Sequence, residues 1–204
     1  MTAPHPDYIA AALAVVEVLE SQSIAYLIGG SVASGIHGMP RSTQDIDLVV
    51  ELSLPQAAPF VHRLGTGFYV DLEAVEEAVR RHRSFNLIHL ETMVKVDLFV
   101  AKEEAFVRSQ MARRQRHVLL RNPERCVYVA SPEDTILAKL AWYRSGGETS
   151  SSQWSDVLGV MKIQGSRLDK AYLEQWASRI GVADLLSQAL QDSGLEPETP
   201  ALSS

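Results

Sequence analysis

Three aspartates set in strongly apolar stretches are the residues of this chain best suited to chemistry. Asp45 and Asp47 alternate with apolar residues over 45–50, and Asp97 lies in a similar run over 94–100. Residues two apart on a strand point to the same side, so the carboxylates of Asp45 and Asp47 lie together, with Cα atoms about 6.5–7 Å apart. An unpaired charge is costly inside a sheet, so acids in such apolar company indicate a site. The alternative is that this side of the strand simply faces water.

A divalent cation is the ligand that these three carboxylates suit best. Mg²⁺ prefers carboxylate and phosphate oxygens, and Mn²⁺ is the other candidate. If the strand of Asp97 lies beside the strand of Asp45 and Asp47, three acids can hold two metal ions, as phosphoryl-transfer sites need. Asp97 could also act as a general base. The alternative for Asp97 is an exposed ion pair with Lys95, which points the same way along the strand.

The turn Gly29–Gly30–Ser31 is the second feature that could do chemistry. It ends a short strand-like run over 25–28 and opens a short helical segment over 31–37. Glycines let the backbone turn sharply and approach a ligand closely, and a helix start presents free N–H groups and a positive dipole end to phosphate. The Ser31 hydroxyl adds a further donor. Alone, the tripeptide is typical of many ordinary turns, but together with the aspartates it predicts a phosphate-binding turn.

Basic residues near these features are candidates for phosphate contacts. Arg41 and Thr43 come just before the acids, where a guanidinium could pair with phosphate or with the carboxylates. Lys139 and Arg144 lie on the first helix of the C-terminal part, and either could clamp phosphate. The alternative for Lys139 is an ordinary surface lysine.

Composition and charge limit the classes of function. The 204 residues carry a formal net charge of −6, which argues against bulk nucleic-acid binding, and the arginine-rich stretches 80–83 and 113–117 are typical of solvated faces. A single cysteine allows neither an internal disulfide nor a thiolate metal site. The first residues lack a signal-peptide pattern and no run approaches the ~20 apolar residues of a membrane span, so we expect a cytoplasmic protein.

The pattern of elements predicts an α/β (α+β) fold, with a mixed β-sheet flanked by helices and an all-helical C-terminal lobe. Strands are expected over 25–28, 45–50, 85–90, 94–100, 117–120 and 126–129. Helices are expected over 8–20, 31–37, 55–63, 72–81, 103–114, 133–144, 152–164, 168–179 and 181–191. The run Ser131–Pro132–Glu133–Asp134 starts the helical part, because it combines a hydroxyl cap, a proline at the first helical position and acids in the first turn. We expect lobes over 1–130 and 131–192, and a disordered tail over 193–204 that is rich in Pro, Ser and Glu.

Taken together, the motifs resemble the nucleotidyltransferase superfamily built on a DNA polymerase β-type palm. The resemblance rests on Gly29–Gly30–Ser31, on Arg41, Thr43, Asp45 and Asp47 at alternate positions, and on a later strand-borne Asp97. In particular the chain resembles the AbiEii-like branch, which includes toxins of type IV toxin–antitoxin pairs. The stretch 130–140 also looks like that branch, and the resemblance covers roughly residues 24–165.

The resemblance implies transfer of a nucleoside monophosphate from an NTP such as ATP to an acceptor hydroxyl, with release of pyrophosphate. It implies that Asp45 and Asp47 bind Mg²⁺ or Mn²⁺ and that Asp97 completes the site and activates the acceptor. Ser31 would contact phosphate, and Lys139 matches the lysine of the family's helical lobe that meets the nucleotide. Residues 1–130 would then be the catalytic lobe.

Two points of the resemblance stay open. Members of the branch often carry a Lys/Arg–Asp pair on the helices of the second lobe; here Asp156 matches the acid, but the basic neighbour is absent from 153–156. The acceptor is open as well, between tRNA, a protein and a small molecule, and a cognate antitoxin is a further candidate partner.

Other functions fit the same residues. The chain could be a catalytically idle member of the fold that binds nucleotide or a partner protein, or the non-toxic half of a two-component system. It could also be an aminoglycoside-type adenylyltransferase, which uses a similar metal site on a small acceptor. A plain α/β protein with coincidental acids would require the same coincidence three times.

Overall fold

A seven-stranded mixed β-sheet flanked by helices carries the aspartates in the computed structural model, which describes residues 7–43 and 45–195. The predicted fold class is confirmed. The strands are β1 (Tyr26–Ile28), β2 (Asp45–Val50), β3 (Phe68–Tyr69), β4 (Ser84–His89), β5 (Lys95–Val100), β6 (Gln115–Arg121) and β7 (Glu124–Val129). The helices are α1 (Asp7–Ser21), α2 (Gly30–His37), α3 (Leu54–Leu64), α4 (Leu72–Arg81), α5 (Ala105–Arg113), α6 (Pro132–Ser145), α7 (Ser151–Gln164), α8 (Lys170–Arg179) and α9 (Ala183–Ser193).

The strands lie side by side in the order β3-β4-β5-β2-β1-β7-β6. β2 pairs in parallel with β5, and β1 pairs in parallel with β7, whereas all other neighbouring strands are antiparallel. Each predicted strand forms, within a few residues of its predicted ends. Strand β3 is absent from the prediction, because its two residues are too few to show an alternating pattern.

Alternation along β2 separates a buried face of the sheet from an open one. Ile46, Leu48 and Val50 are fully buried, whereas Asp45 and Asp47 lie on the other face. β5 repeats the pattern, with every second residue apolar and buried. Helix α3 packs against α1 and α4, α1 packs against β2, and α3 and α4 pack against β4. Each large apolar side chain that is buried contributes about 1.5–3 kcal/mol. The predicted faces of β2 are confirmed.

The contacts within the chain divide the described residues into two units. The first contains residues 7–32 and the described part of 42–130, and the second contains residues 33–41 and 131–195. The first unit holds the whole sheet, and the second holds α6 to α9 together with most of α2. The segment 33–41 therefore belongs with the helical residues, a grouping that the sequence does not signal. The functional assignment of the two lobes stays a prediction.

A buried polar network starts the helical residues of the second unit. The hydroxyl of Ser131 caps α6 by accepting a hydrogen bond from the Asp134 amide (3.1 Å) and donates one to the Asp134 carboxylate (2.7 Å). The Tyr172 hydroxyl donates to the other oxygen of Asp134 (2.7 Å), and the Asp169 amide donates to Glu133 (3.0 Å). These bonds tie α8 to the first turn of α6. The predicted helix start is confirmed.

The predicted disordered tail over 193–204 lies mostly outside the described residues. α9 runs to Ser193, one residue into the predicted tail, and residues 196–204 lie outside the described residues. Among the helices of the described chain, none combines the length and the apolar character needed to cross a membrane.

Leu98, in the interior strand β5, tests the packing beneath the open face. Its side chain is fully buried, so Leu98→Ala should lower the free energy of unfolding by about 2–5 kcal/mol, because the truncation leaves a cavity. The matched variant Val118→Ala, at a position that is 46% exposed, should change it by less than about 0.5 kcal/mol. Guanidinium chloride unfolding followed by circular dichroism measures both, and equal losses would contradict this description of the core.

Candidate functional site

Asp45, Asp47 and Asp97 share one face of the sheet. β2 and β5 pair in parallel, with Asp47 directly opposite Asp97 and Asp45 directly opposite Lys95. Directly paired residues project from the same face, and neighbouring strands lie about 4.8 Å apart. Asp45 is exposed, and Asp47 and Asp97 are half-buried. The condition under which the third carboxylate joins the other two, that the two strands lie side by side, is therefore met.

Lys95 completes this group of four side chains, which we call the carboxylate face (Asp45, Asp47, Lys95 and Asp97). The Lys95 Nζ lies 2.8 Å from Asp97 Oδ2. The hydrogen bond to Asp97 raises the pKa of Lys95 and outweighs partial desolvation, which lowers it. The charges of Asp97, Asp45 and Asp47 raise this pKa further. The ammonium therefore lies in the field of all three acids. The ion pair that the sequence offered as the alternative for Asp97 is present.

The glycine turn lies directly against Asp47. The Gly29 amide donates a 2.8 Å hydrogen bond to the main-chain carbonyl of Asp47. Gly30 has a left-handed backbone (φ +54°), and a Cβ built there would lie 1.7 Å from Asp47 Oδ2. Only glycine therefore allows the Asp47 carboxylate to rest over this turn. Because α2 begins at Gly30, the positive end of that helix starts beside the carboxylate.

Two hydroxyl residues complete the predicted phosphate-binding set in this part of the chain. Ser31 is half-buried in the first turn of α2, immediately after Gly30. Thr43 donates a 3.0 Å hydrogen bond from its hydroxyl to the main-chain carbonyl of Asp45, which fixes the start of β2. The structure thus brings the glycine turn and the three aspartates together, and gives Thr43 a contact with the Asp45 backbone.

The donor set of the carboxylate face fits Mg²⁺ or Mn²⁺ in its chemistry. Three carboxylates on one face offer the hard oxygen ligands that these ions prefer, and the missing Cβ of Gly30 leaves room for Asp47. Over residues 7–43 and 45–195, however, no three His, Cys, Asp or Glu side chains are gathered so that they could hold an ion. Asp97 is engaged by Lys95 instead. The metal-binding roles of the aspartates stay predictions.

A second ionic cluster, built on Asp156, lies in the helical unit. Asp156 Oδ1 is 2.9 Å from Arg41 Nε, and Asp156 Oδ2 is 3.1 Å from an Arg41 terminal nitrogen and 2.7 Å from Lys139 Nζ. Lys139 also donates to the side chain of Gln153 (3.0 Å). Asp156 and Lys139 are both more than nine-tenths buried. Lys139 is therefore not the surface lysine of the alternative interpretation.

This cluster also supplies the basic partners of Asp156 that the adjacent residues in the sequence lack. The partners of Asp156 come from α6 and from the segment after α2, rather than from the adjacent residues 153–155. Burial alone would raise the pKa of Asp156, but hydrogen bonds from Arg41 and Lys139 outweigh burial and lower it. Both cations are thus committed to Asp156 in the structure, and their predicted contacts with phosphate stay predictions.

The remaining arginines of interest take part in surface ion pairs. Arg144 lies 2.7 Å from Glu148 and 2.6 Å from Asp184, and its phosphate-clamping role stays a prediction. In the basic stretch 80–83, the first two arginines pair with glutamates one turn earlier on α4. These pairs, together with the exposure of all four residues, confirm that the stretch is solvated.

Comparison with known proteins finds matches in structure only: no protein-family model and no curated protein matches the chain. The lincosamide antibiotic adenylyltransferase LnuA, solved with lincomycin bound, matches at 12% identity and a TM-score of 0.51, over 76% of this chain and 96% of LnuA. The antibiotic-resistance factor ANT(2'')-Ia matches at 11% identity and a TM-score of 0.54, over 89% and 97%. An antigenic nucleotidyltransferase-like protein from Paracoccidioides brasiliensis matches at 18% identity and a TM-score of 0.53, over 96% and 95%.

These likenesses show that the chain shares the fold of these nucleotidyltransferase structures. At identities this low they establish the fold alone. None of the three structures speaks for the AbiEii-like branch, for a toxin or for tRNA as the acceptor.

The fit of Asp47 over the glycine turn gives a matched pair of variants. Gly30→Ala should lower the free energy of unfolding by at least about 2 kcal/mol, because a left-handed backbone costs an alanine about 1–2 kcal/mol and the new methyl collides with Asp47. Gly29→Ala, whose methyl would meet nothing within 4 Å, should cost less than about 1 kcal/mol. Urea unfolding of the two variants measures the difference, and equal stabilities would show that Asp47 does not need Gly30.

The buried Asp156 cluster predicts a pH-dependent loss of stability. Because the folded pKa of Asp156 is below its usual value, its contribution is present above about pH 4 and is lost as the pH falls through the folded pKa. Asp156→Asn should cost about 3–5 kcal/mol at pH 7, because it leaves buried Lys139 without its counter-ion, and should flatten this acid dependence. Glu91→Gln, which neutralises an exposed acid in the turn between β4 and β5, is the control. Unfolding curves from pH 2.5 to 7 that coincide in shape for wild type and Asp156→Asn would contradict the assignment.

Proposed function

We propose that this chain is a metal-dependent nucleotidyltransferase, which moves a nucleoside monophosphate from an NTP to an acceptor hydroxyl and releases pyrophosphate. The observation that best supports this function is that the aspartates and the glycine turn lie next to each other. Asp47 stands opposite Asp97, and the same Asp47 rests over the glycine turn from which α2 begins. A phosphate group bound at the turn would therefore lie beside the carboxylates.

The proposed roles follow from the chemistry of these side chains. Asp45, Asp47 and Asp97 would hold Mg²⁺ or Mn²⁺, which when bound supplies positive charge against the phosphates and acidifies an acceptor hydroxyl. The Gly29 amide is bonded to the Asp47 carbonyl, so in the Gly29–Gly30–Ser31 turn the backbone amides at the start of α2 and the Ser31 hydroxyl would donate hydrogen bonds to phosphate oxygens. Asp97 would accept the proton of the acceptor hydroxyl. Residues 1–130 would be the catalytic lobe.

The basic residues of the helical unit take an indirect part in this proposal. Because Arg41 and Lys139 are bonded to Asp156, we assign them first to the packing of segment 33–41 and α6, and a phosphate contact would require them to leave Asp156. Arg144 would likewise have to leave Glu148 and Asp184.

ATP is the first nucleotide to test, since LnuA is an adenylyltransferase. Three classes of acceptor remain: tRNA, as in the AbiEii-like toxins that the sequence resembles, a protein, and a small hydroxylated molecule. The lincomycin bound to LnuA illustrates the last class. A cognate antitoxin is a partner of this chain only if the tRNA acceptor proves correct.

A second candidate function is nucleotide binding without turnover. The observation that favours it is the ion pair between Lys95 and Asp97, which engages the carboxylate proposed as the base. Both candidates predict ATP binding, so they differ only in whether label is transferred.

The decisive assay incubates the protein with Mg²⁺ and α-³²P-ATP in the presence of total tRNA, a protein extract, or pooled lincosamides and aminoglycosides. Transfer should fall by at least about a hundredfold in Asp47→Asn and in Asp97→Asn, because each variant removes a charged ligand from the site. Glu51→Gln, an exposed acid just after β2, is the matched control and should behave as wild type.

The outcomes separate the candidates. Label in RNA, in protein or in the small molecules identifies the acceptor class. ATP binding without label supports the idle member of the fold. Wild-type turnover in Asp47→Asn, or the absence of both label and ATP binding, would overturn the proposal.

A further inference from the structure

Lys95 is placed among the three acids by the pairing of the strands, and not by chance contact of a surface side chain. It lies directly opposite Asp45 on the neighbouring strand and two residues before Asp97 on its own, so it shares their face. Its Nζ is 2.8 Å from Asp97 Oδ2. On the other neighbour, β4, its partner is the apolar Ile88, so its charged neighbours on this face are Asp45, across the strand pairing, and Asp97, along β5.

We propose that Lys95 is a functional residue of the carboxylate face: its ammonium, paired with Asp97, offsets the mutual repulsion of the three carboxylates before a divalent cation binds, and competes with that cation for Asp97. This inference rests on the metal site of the proposed function. It goes beyond that function because it assigns a residue that sets how readily the site fills.

The charges of the four side chains support this role. Three carboxylates carry −3 and Lys95 carries +1, so the carboxylate face has a formal charge of −2, which one divalent cation balances. Without the ammonium, like charges on directly opposed positions such as Asp47 and Asp97 repel each other. The positive charge of Lys95 therefore lowers the repulsion among the three carboxylates. The same charge also weakens the attraction of the carboxylate face for a metal cation.

The side chain of Lys95 is also able to leave. It is 43% exposed, and its flexible four-carbon stem lets the ammonium move into solvent without disturbing the strand. The Asp97 side chain is 22% exposed, so its oxygens are accessible from the same face. An isolated surface ion pair contributes little to stability. The effect of Lys95 on cation binding comes instead from its charge lying among three acids.

The test is a direct measurement of Mn²⁺ binding by the full chain at constant ionic strength, with the free ion followed by electron paramagnetic resonance. Lys95→Met, which removes the charge and keeps the stem, should bind Mn²⁺ about five- to tenfold more tightly than wild type. Lys95→Arg keeps the charge and should stay within about twofold of wild type. Lys102→Met, at an exposed lysine just after β5 that pairs with Glu104, is the matched control and should not differ.

A second readout distinguishes this role from simple surface packing. Without metal, Lys95→Met should melt at a lower temperature than wild type, because the carboxylates lose their counter-ion. Saturating Mn²⁺ should raise its melting temperature by more than it raises that of wild type, because the variant binds the ion more tightly.

The failures of the two proposals can be told apart. If wild type binds Mn²⁺, loses it in Asp47→Asn, and Lys95→Met binds it equally or more weakly, the role of Lys95 is wrong and the metal site stands. If wild type binds no Mn²⁺, or Asp47→Asn binds it as well as wild type, the metal site is wrong and the role of Lys95 falls with it.

Discussion

The in-register parallel pairing of β2 with β5 is the constraint on which the rest of the site depends. Ile46 and Leu48 on β2, and Val96 and Leu98 on β5, are fully buried on one face. A slip of one residue would turn these apolar side chains to solvent, so their burial fixes the register strongly. The acids occupy the alternate positions, and the same register therefore sets Asp47 opposite Asp97. The geometry of the carboxylate face is thus determined by the core beneath it.

Asp47 links this face to the glycine turn through both its backbone and its side chain. Its main-chain carbonyl accepts a hydrogen bond from the Gly29 amide, and its carboxylate fills the space that a side chain at Gly30 would occupy. The turn, the start of α2 and the carboxylates therefore form one local structure. In the helical unit, by contrast, the buried charge of Asp156 is balanced by Arg41 and Lys139, so its cations serve first to satisfy a buried acid.

The sequence predicts the parts of this structure that local patterns control. Alternation gives the faces of β2, helical spacing gives the helices within a few residues, and the cap at Ser131 gives the start of α6. Contacts between distant residues leave no such pattern. The partners of Asp156 lie 17 and 115 residues earlier, and nothing in segment 33–41 shows that it belongs with the helical unit. The sequence predicts that Lys95 can pair with Asp97, because the two lie on one face of the same strand. Its position opposite Asp45 is known only from the strand pairing in the structure.

The central claim is that the glycine turn and the three aspartates bind one metal–nucleotide complex. Paramagnetic broadening by Mn²⁺, bound with a non-hydrolysable ATP analogue to ¹⁵N-labelled protein, tests this claim most directly. We expect the amide signals of residues 29–31, 45–47 and 95–97 to broaden first, and to broaden more strongly when the analogue is present together with the ion. Broadening centred elsewhere, with these signals unchanged, would contradict it.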